Sequence, residues 1–323
     1  MRAAFAASAA AEDPLSALVV DERPAPQARD GWITVEVKAA SLNHHDLFTL
    51  RGVGIPGDRL PMILGCDAAG IDTESGEPVI VHSVIATPGW AGDETLDPGR
   101  TLLSELHQGT LAEYVSVPKA NLLPKPPELS FTDAACLPTA WLTAYRMLFV
   151  KSGLRPGQSV LVQGASGGVA SACISLARAG GFTVYATART PEKQQAALGF
   201  GAHAAFASGA RLPERVDAVM ETVGAATWAH SLRTLKPGGR IVISGSTSGP
   251  NPAATELNRI FFLALSVVGS TMGTKQELRE LLSLLTTSGL RPHVDRVLPL
   301  REVADGLRAM ERGQLLGKIV IEP

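Results

Sequence analysis

A doubly wound α/β domain joined to a β-rich segment is the fold class this sequence predicts, on three observations. From Val160 onward, six short apolar runs (160–163, 183–187, 203–207, 216–220, 240–244 and 266–269) alternate with helical patterns. Parallel strands read this way when helices cover both faces of their sheet. The first run, Val160-Leu161-Val162, opens into the Gly-rich turn Gly164-Ala165-Ser166-Gly167-Gly168-Val169-Ala170 and then a small-residue run to Ala177, which is strand, tight turn, helix. Residues 1–120, by contrast, are dense in Pro and Gly and alternate with period two, as short half-buried strands and loops do.

In chain order, Met1 to Ala11 is Ala-rich but carries one Arg, is not strongly apolar and runs into Glu12-Asp13-Pro14. It reads as a first strand and turn rather than a signal peptide. Gly31 to Ala39 alternates strictly, and Pro78 to His82 and Ala112 to Val117 are two further strands. Thr87 to Gln108, with Gly89, Trp90, Gly92, Pro98 and Gly99, reads as a surface loop. Leu122-Leu123-Pro124-Lys125-Pro126-Pro127 marks a domain boundary, because a Pro-rich run continues neither strand nor helix. A helix opens next, with Ser130 as N-cap and Asp133 at the capping-box position. Lys236-Pro237-Gly238-Gly239-Arg240 is a turn feeding Ile241-Val242-Ile243. Thr274-Lys275-Gln276-Glu277 is a capping box before leucines at 278, 281, 282 and 285, and Leu316 to Glu322 is a last strand.

Composition narrows the function classes. Hydrophobic content of 45%, charged content of 19% and a net charge of −2 are those of an ordinary globular protein. Nothing in this charge balance recruits nucleic acid or an anionic membrane. Cys66, Cys136 and Cys173 are far apart, odd in number and outside any C-x-x-C pair, which suits a reducing cytosol. No apolar run reaches the ~18–20 residues of a membrane span. A soluble cytoplasmic protein is expected.

The Gly-rich turn departs from G-x-G-x-x-G at both ends, with Ala165 for the first glycine and Ala170 for the third. Alone it supports a cofactor turn and a purely geometric strand–helix turn equally; the six-strand context favours the cofactor turn. As such, Ala165, Ser166, Gly167, Gly168 and Val169 would face a pyrophosphate, with helix N–H groups and the positive dipole end aimed at it. An NAD-binding unit places an acidic side chain about 20 residues on, to take the ribose hydroxyls. Here the second strand ends in Thr187-Ala188-Arg189-Thr190-Pro191-Glu192-Lys193, with Arg189 and Lys193 where the adenosine ribose would lie. Two cations with the Thr187 and Thr190 hydroxyls match a 2′-phosphate, so the sequence predicts NADPH rather than NADH. The competing reading is a solvated Arg and Lys at a helix start, where their charge opposes the dipole.

Several stretches together resemble the medium-chain dehydrogenase/reductase superfamily, in its zinc-independent, quinone-oxidoreductase-like branch. They are Val37 to Asp46, Gly65-Cys66-Asp67-Ala68-Ala69-Gly70, Leu137-Pro138-Thr139-Ala140-Trp141-Leu142-Thr143-Ala144-Tyr145, the Gly-rich turn, and Lys236 to Arg240. The resemblance runs nearly end to end. It implies a GroES-like catalytic domain from residues 1–122 and 271–323, a Rossmann NADPH-binding domain from 123–270, an active site in the cleft, and a homodimer through the edge strand near 266–269. Zinc-dependent members carry Cys, His and Cys as catalytic ligands, and the matched positions here hold Asn43, Cys66 and Thr139. One soft ligand of three does not make a dependable zinc site, and the structural zinc lobe is replaced by the cysteine-free segment 87–108. Cys66 is then a small buried side chain.

The same matching implies the site. Asn43 is expected beside the nicotinamide, donating to a developing oxyanion. His45 falls where relatives relay protons and His44 where some bind the pyrophosphate; the alternative is two loop histidines with structural hydrogen bonds. Asp46 is expected to fix its loop. Thr139, Trp141, Ser244, Gly245, Ser246, Thr271 and Met272 border the cofactor, Gly317-Lys318 closes the cleft, and Phe48, Leu50 and Phe262 form an apolar wall. Without a Lewis acid, a simple carbonyl loses its main alkoxide stabilisation. A quinone or α,β-unsaturated carbonyl needs less help, because its anion is delocalised. The expected reaction is hydride transfer from NADPH to such a small-molecule electrophile. A zinc-type alcohol dehydrogenase and an NADPH-binding protein with little turnover are the alternatives.

Overall fold

The protein is described by a computed structural model covering residues 1–27 and 29–323. It divides into two compact units, Met1–Thr139 with Thr274–Pro323, and Ala140–Gly273.

The first unit is organised around the strand Trp32–Ser41, whose alternation buries Ile33, Val35 and Val37. One edge of this strand pairs antiparallel with Asp67–Asp72. Its other edge takes Tyr114–Pro118 along residues 32–36 and the chain's last strand, Lys318–Glu322, at Ala40 and Ser41. Pro78–Val81 and Leu122–Pro124 extend the sheet one way, and Val294–Pro299 the other. Helices His44–Leu50 and Val303–Glu311 bury Leu47, Leu50, Val303 and Leu307 in the same core.

Three readings change here. The boundary expected after residue 122 moves to 139, because the helix Phe131–Ala135 packs on Trp32–Ser41 and Asp67–Asp72. Residues 271–273 likewise group with the second unit. The segment 87–108 is not a plain surface loop: Thr101–Leu102 pairs with Val84–Ile85, and Leu103 and Ser104 are fully buried. Its Gly, Pro and Trp residues signalled irregular backbone correctly, but irregular backbone can still be buried when its polar groups find partners. Both cap readings hold locally. Ser130 accepts from the Asp133 N–H at 3.0 Å, and Thr274 and Glu277 form a reciprocal box before Lys275–Ser288.

The second unit is a six-stranded, all-parallel sheet of Ser159–Val162, Thr183–Ala188, Ala204–Ala207, Val216–Glu221, Leu235–Ile243 and Ser266–Gly269. Numbered in that sequence, the strands lie in the order 3-2-1-4-5-6. This is the doubly wound dinucleotide-binding order, which reverses beside the first strand. The expected turn at 236–240 is instead an irregular excursion within one strand: Leu235 pairs with Val216, and Arg240 already pairs with Ala218.

Candidate active site

In the second unit, the carboxyl ends of the strands gather the groups expected to hold a dinucleotide. Gly164 turns the chain with φ +70°, and a Cβ there would lie 2.7 Å from Val223 Cγ2, so only glycine fits. The Ala165 N–H donates to the Thr187 carbonyl at 2.9 Å, tying the turn to the second strand. Gly167 is the N-cap of the helix Gly168–Ala179, and a Cβ there would meet nothing within 4 Å. First-turn N–H groups have no partner further back in a helix, so this open ground suits a pyrophosphate.

Beneath the turn lies a buried polar network that the sequence did not reveal. Gln163 Nε2 donates to His230 Nδ1 and Ser231 Oγ, both at 2.9 Å. Glu221, fully buried, accepts from the Val223 N–H (2.8 Å), the Gly224 N–H (3.0 Å) and the hydroxyls of Thr227 (2.9 Å) and Ser231 (2.6 Å). The Thr187 hydroxyl donates to Gln163 Oε1 within this network and is wholly buried. The ribose-phosphate role expected of Thr187 is therefore corrected, since its single hydroxyl proton is spent inside the protein.

Arg189 is exposed, while Lys193 sits half-buried in the first turn of the helix Pro191–Gly199, whose N-cap Thr190 accepts from the Lys193 N–H at 3.4 Å. Burial, and then the charge of Arg189, hold the Lys193 ammonium below the usual lysine range. The two cations therefore repel one another. Ser244, Gly245 and Ser246 follow the fifth strand, with the Ser244 N–H on the Glu221 carbonyl at 3.0 Å. Thr271 and Met272 follow the sixth strand.

In the first unit, Asn43, His44 and His45 lie at the start of the helix His44–Leu50, beside Cys66 and Asp67. Asp46, fully buried, accepts from the N–H groups of Asn43 (2.8 Å) and Gly65 (2.9 Å), fixing the loop as expected. Burial lifts its carboxyl to about 6 despite these bonds. Asn43 is 8% exposed and its amide is consumed internally. Nδ2 donates to Asp67 Oδ2 at 2.8 Å and the Ser41 carbonyl at 3.3 Å, while Oδ1 accepts from Lys318 Nζ at 2.7 Å. An ammonium must face the amide oxygen, so this network also fixes the amide's orientation. Asn43 as a direct oxyanion donor is therefore corrected: it holds Lys318 and Asp67 in place.

Lys318, 2% exposed, donates as well to the Leu42 carbonyl at 2.6 Å and lies 3.5 Å from Asp67 Oδ2. Its expected contact with the cofactor is corrected on the same ground, because the ammonium's protons all face protein acceptors. Leu50, expected in an apolar wall, is fully buried in the first unit's core, while Phe48 and Phe262 are exposed.

His44 is exposed, and desolvation by its neighbours, then Lys318 and Arg51, hold its imidazole below the ordinary value. His45 makes two bonds: Nε2 lies 2.9 Å from Glu105 Oε1, and Nδ1 lies 3.3 Å from Cys66 Sγ. Burial would lower its pKa, but Cys66, Glu105 and Asp46 outweigh it and raise it. Burial pushes the Cys66 thiol up, with His45 opposing. Glu105 was missed because it sits in the segment 87–108, where no periodicity singles it out.

The description "Alcohol dehydrogenase GroES-like domain" matches residues 29–127, and "Zinc-binding dehydrogenase" matches residues 168–287. A crystal structure of an NAD-dependent alcohol dehydrogenase superposes with a TM-score of 0.92 at 33% identity, covering 100% of both chains. The chain belongs to the medium-chain dehydrogenase/reductase superfamily. Another relative in this superfamily's company is the quinone oxidoreductase of Lama guanicoe, 29% identical over 92% of this chain and 90% of its own. The spectinabilin polyketide synthase system protein NorB of Streptomyces orinoci is 32% identical over 93% of this chain, which spans 13% of that protein's length.

The second family description names zinc, and the residues present do not fit a zinc ion. Asn43 is bonded to an ammonium, Cys66 to an imidazole, and Thr139 offers only a hydroxyl. Among the described residues, no three His, Cys, Asp or Glu side chains are grouped to hold a metal. A nicotinamide cofactor fits better. Thr139 Oγ1 and Trp141 Nε1, both expected beside it, are buried without a hydrogen-bond partner among the described residues. Buried polar atoms left unpaired in this way suit an absent ligand.

Proposed function

We propose that this reductase transfers a hydride from NADPH to a quinone or an α,β-unsaturated carbonyl without a catalytic metal. The observation that carries the reading is the Asn43–Lys318–Asp67 cluster. The Lys318 ammonium takes up the Asn43 amide oxygen, one of the three positions matched to zinc ligands, and leaves a fixed positive charge where a metal cation would have to sit. An acceptor whose anion is delocalised suits such a centre, because it asks for no Lewis acid. The name of the Lama guanicoe relative points to the same acceptor class.

The bound cofactor would supply the hydride from its C4 carbon. The chain's part is to bind, orient and deliver a proton. Arg189 and Lys193, two neighbouring cations without a ribose-binding carboxylate, support a 2′-phosphate, with the Thr190 hydroxyl beside them. Ala165 to Val169 would hold the pyrophosphate at the helix N-terminus. His44, held toward its neutral form, would help there as a hydrogen-bond donor rather than as a charge. His45, held toward its protonated form, is the proton source. Ser244, Gly245, Ser246, Thr271 and Met272 would border the cofactor.

We further propose a homodimer through the free edge strand Ser266–Gly269, where Val267 is exposed. A cytoplasmic setting suits the three free cysteines. Among the described residues, no helix is long and apolar enough to cross a membrane. The testing experiment follows NADPH and NADH oxidation against quinones, enones and aldehydes, with and without chelator. Rapid aldehyde turnover lost on chelation would instead favour the zinc-type reading.

A further inference from the structure

Glu221 ends the strand Val216–Glu221 and Gln163 follows Ser159–Val162, so both stand where the order of the sheet reverses. Both are wholly buried. Among the described residues the partners of the Glu221 carboxylate are all neutral donors: the N–H groups of Val223 and Gly224 and the hydroxyls of Thr227 and Ser231. A buried carboxylate is expensive to desolvate, and these charge-assisted bonds offset that cost. A carboxylate only accepts, so it sets the direction of every bond behind it. The Ser231 hydroxyl gives its proton to Glu221 and therefore accepts from Gln163 Nε2. That fixes the Gln163 amide, whose second proton goes to His230 Nδ1 and whose Oε1 accepts from Thr187. His230 in turn carries its proton on Nε2, donated to the Ala210 carbonyl at 2.8 Å.

Two routes lead from this carboxylate to the Gly-rich turn. The side-chain route runs through Ser231 and Gln163 to Thr187, whose carbonyl holds the Ala165 N–H at 2.9 Å; Arg189 lies two residues further along the chain. The backbone route runs through the Val223 N–H, since Val223 Cγ2 is the atom that a Cβ at Gly164 would meet at 2.7 Å. The Val223 carbonyl also accepts from the N–H and the hydroxyl of Ser248, both at 2.7 Å, and the Ser244 N–H reaches the Glu221 carbonyl at 3.0 Å. We infer that Glu221 is a positioning residue for the dinucleotide. Wholly buried, it acts through the Gly-rich turn and through the strand end that carries Arg189, and it sets where both of them stand. The inference rests on the NADPH reading of this unit.

The sign of one substitution separates positioning from charge. A buried negative charge repels a phosphate, so Glu221→Gln would tighten NADPH binding if charge were its only effect. Positioning predicts the reverse. The amide brings two protons to a place where hydroxyls already donate, so the bonds behind it lose their direction and the turn its support. Titration calorimetry on the full chain, run well below each variant's thermal midpoint, should show the Kd for NADPH raised about 10-fold in Glu221→Gln, the scale of one charged hydrogen bond. With an enone as acceptor, the loss should fall on the KM for NADPH rather than on kcat. Thr187→Val keeps the shape of the side chain and removes its hydroxyl. It should weaken NADPH about 5-fold with Glu221 intact, and Thr187→Ser should restore the affinity. This second pair decides the matter if Glu221→Gln does not fold. Equal or tighter NADPH binding by Glu221→Gln, or Thr187→Ser binding no better than Thr187→Val, overturns the inference while the unsubstituted protein still binds NADPH. An unsubstituted protein that binds neither NADPH nor NADH overturns the cofactor reading itself, and the role of Glu221 with it.

Discussion

Lys193 and Arg189 carry the proposed choice of NADPH, and their neighbouring charges make it measurable. Two cations held near one another at a helix start, where the dipole already disfavours them, gain most when an anion arrives between them. Charge-assisted bonds of about 1.5–3 kcal/mol imply that Arg189→Ala raises the KM for NADPH by about 10- to 100-fold. The KM for NADH should barely move, and steady-state kinetics with both cofactors checks the contrast. His45 gives a second prediction at this scale. Its pKa is raised in the folded chain, so the stability it contributes is complete below pH 6.5 and is lost as pH rises through the folded value. Urea midpoints should therefore fall on the alkaline side in the unsubstituted protein and flatten in Glu105→Gln; equal slopes would refute the His45–Glu105 coupling. Arg189 was legible in the sequence because it lies a fixed distance past a recognisable strand. Asn43 was found but given the wrong role, since the lysine that claims its amide is 275 residues away. No local pattern announces such a partner.

Single elements show the same division between local and distant causes. The strand–turn–helix at Ser159–Ala179, the capping boxes and the six parallel strands were readable because each is fixed by residues within a few positions. The segment 87–108 was misread because its pairing partner, Val84–Ile85, and its burial are settled by the tertiary fold. The Gly-rich turn separates folding from binding. Gly164→Ala combines a φ of +70° with a 2.7 Å clash, and should cost about 1–3 kcal/mol, read as a lower thermal midpoint. Gly167→Ala meets nothing within 4 Å, so the midpoint should hold while NADPH affinity falls, as titration calorimetry would register. The last strand, Lys318–Glu322, contributes through its first residue. Lys318→Met strips the countercharge from the fully buried Asp67 and should destabilise by about 3–5 kcal/mol in chemical denaturation.

At the scale of the molecule, two units divide the work. One carries the 3-2-1-4-5-6 sheet whose carboxyl edge suits a dinucleotide, and the other carries the Asn43–Lys318–Asp67 and Cys66–His45–Glu105 clusters. The superfamily was readable from motifs spread over the whole chain. The exact border between units was not, because the helix Phe131–Ala135 is assigned by its packing rather than by the Pro-rich run before it. The central claim is the proposal that this chain passes a hydride from NADPH to a delocalised acceptor without a catalytic metal. Its most direct measurement is the initial rate of NADPH oxidation by purified protein with an enone or quinone, in parallel with NADH, an aldehyde, and added chelator. The account predicts that NADPH outpaces NADH, that the enone or quinone outpaces the aldehyde, and that chelator changes neither rate. A faster reaction with NADH, or aldehyde turnover that chelator abolishes, would contradict it.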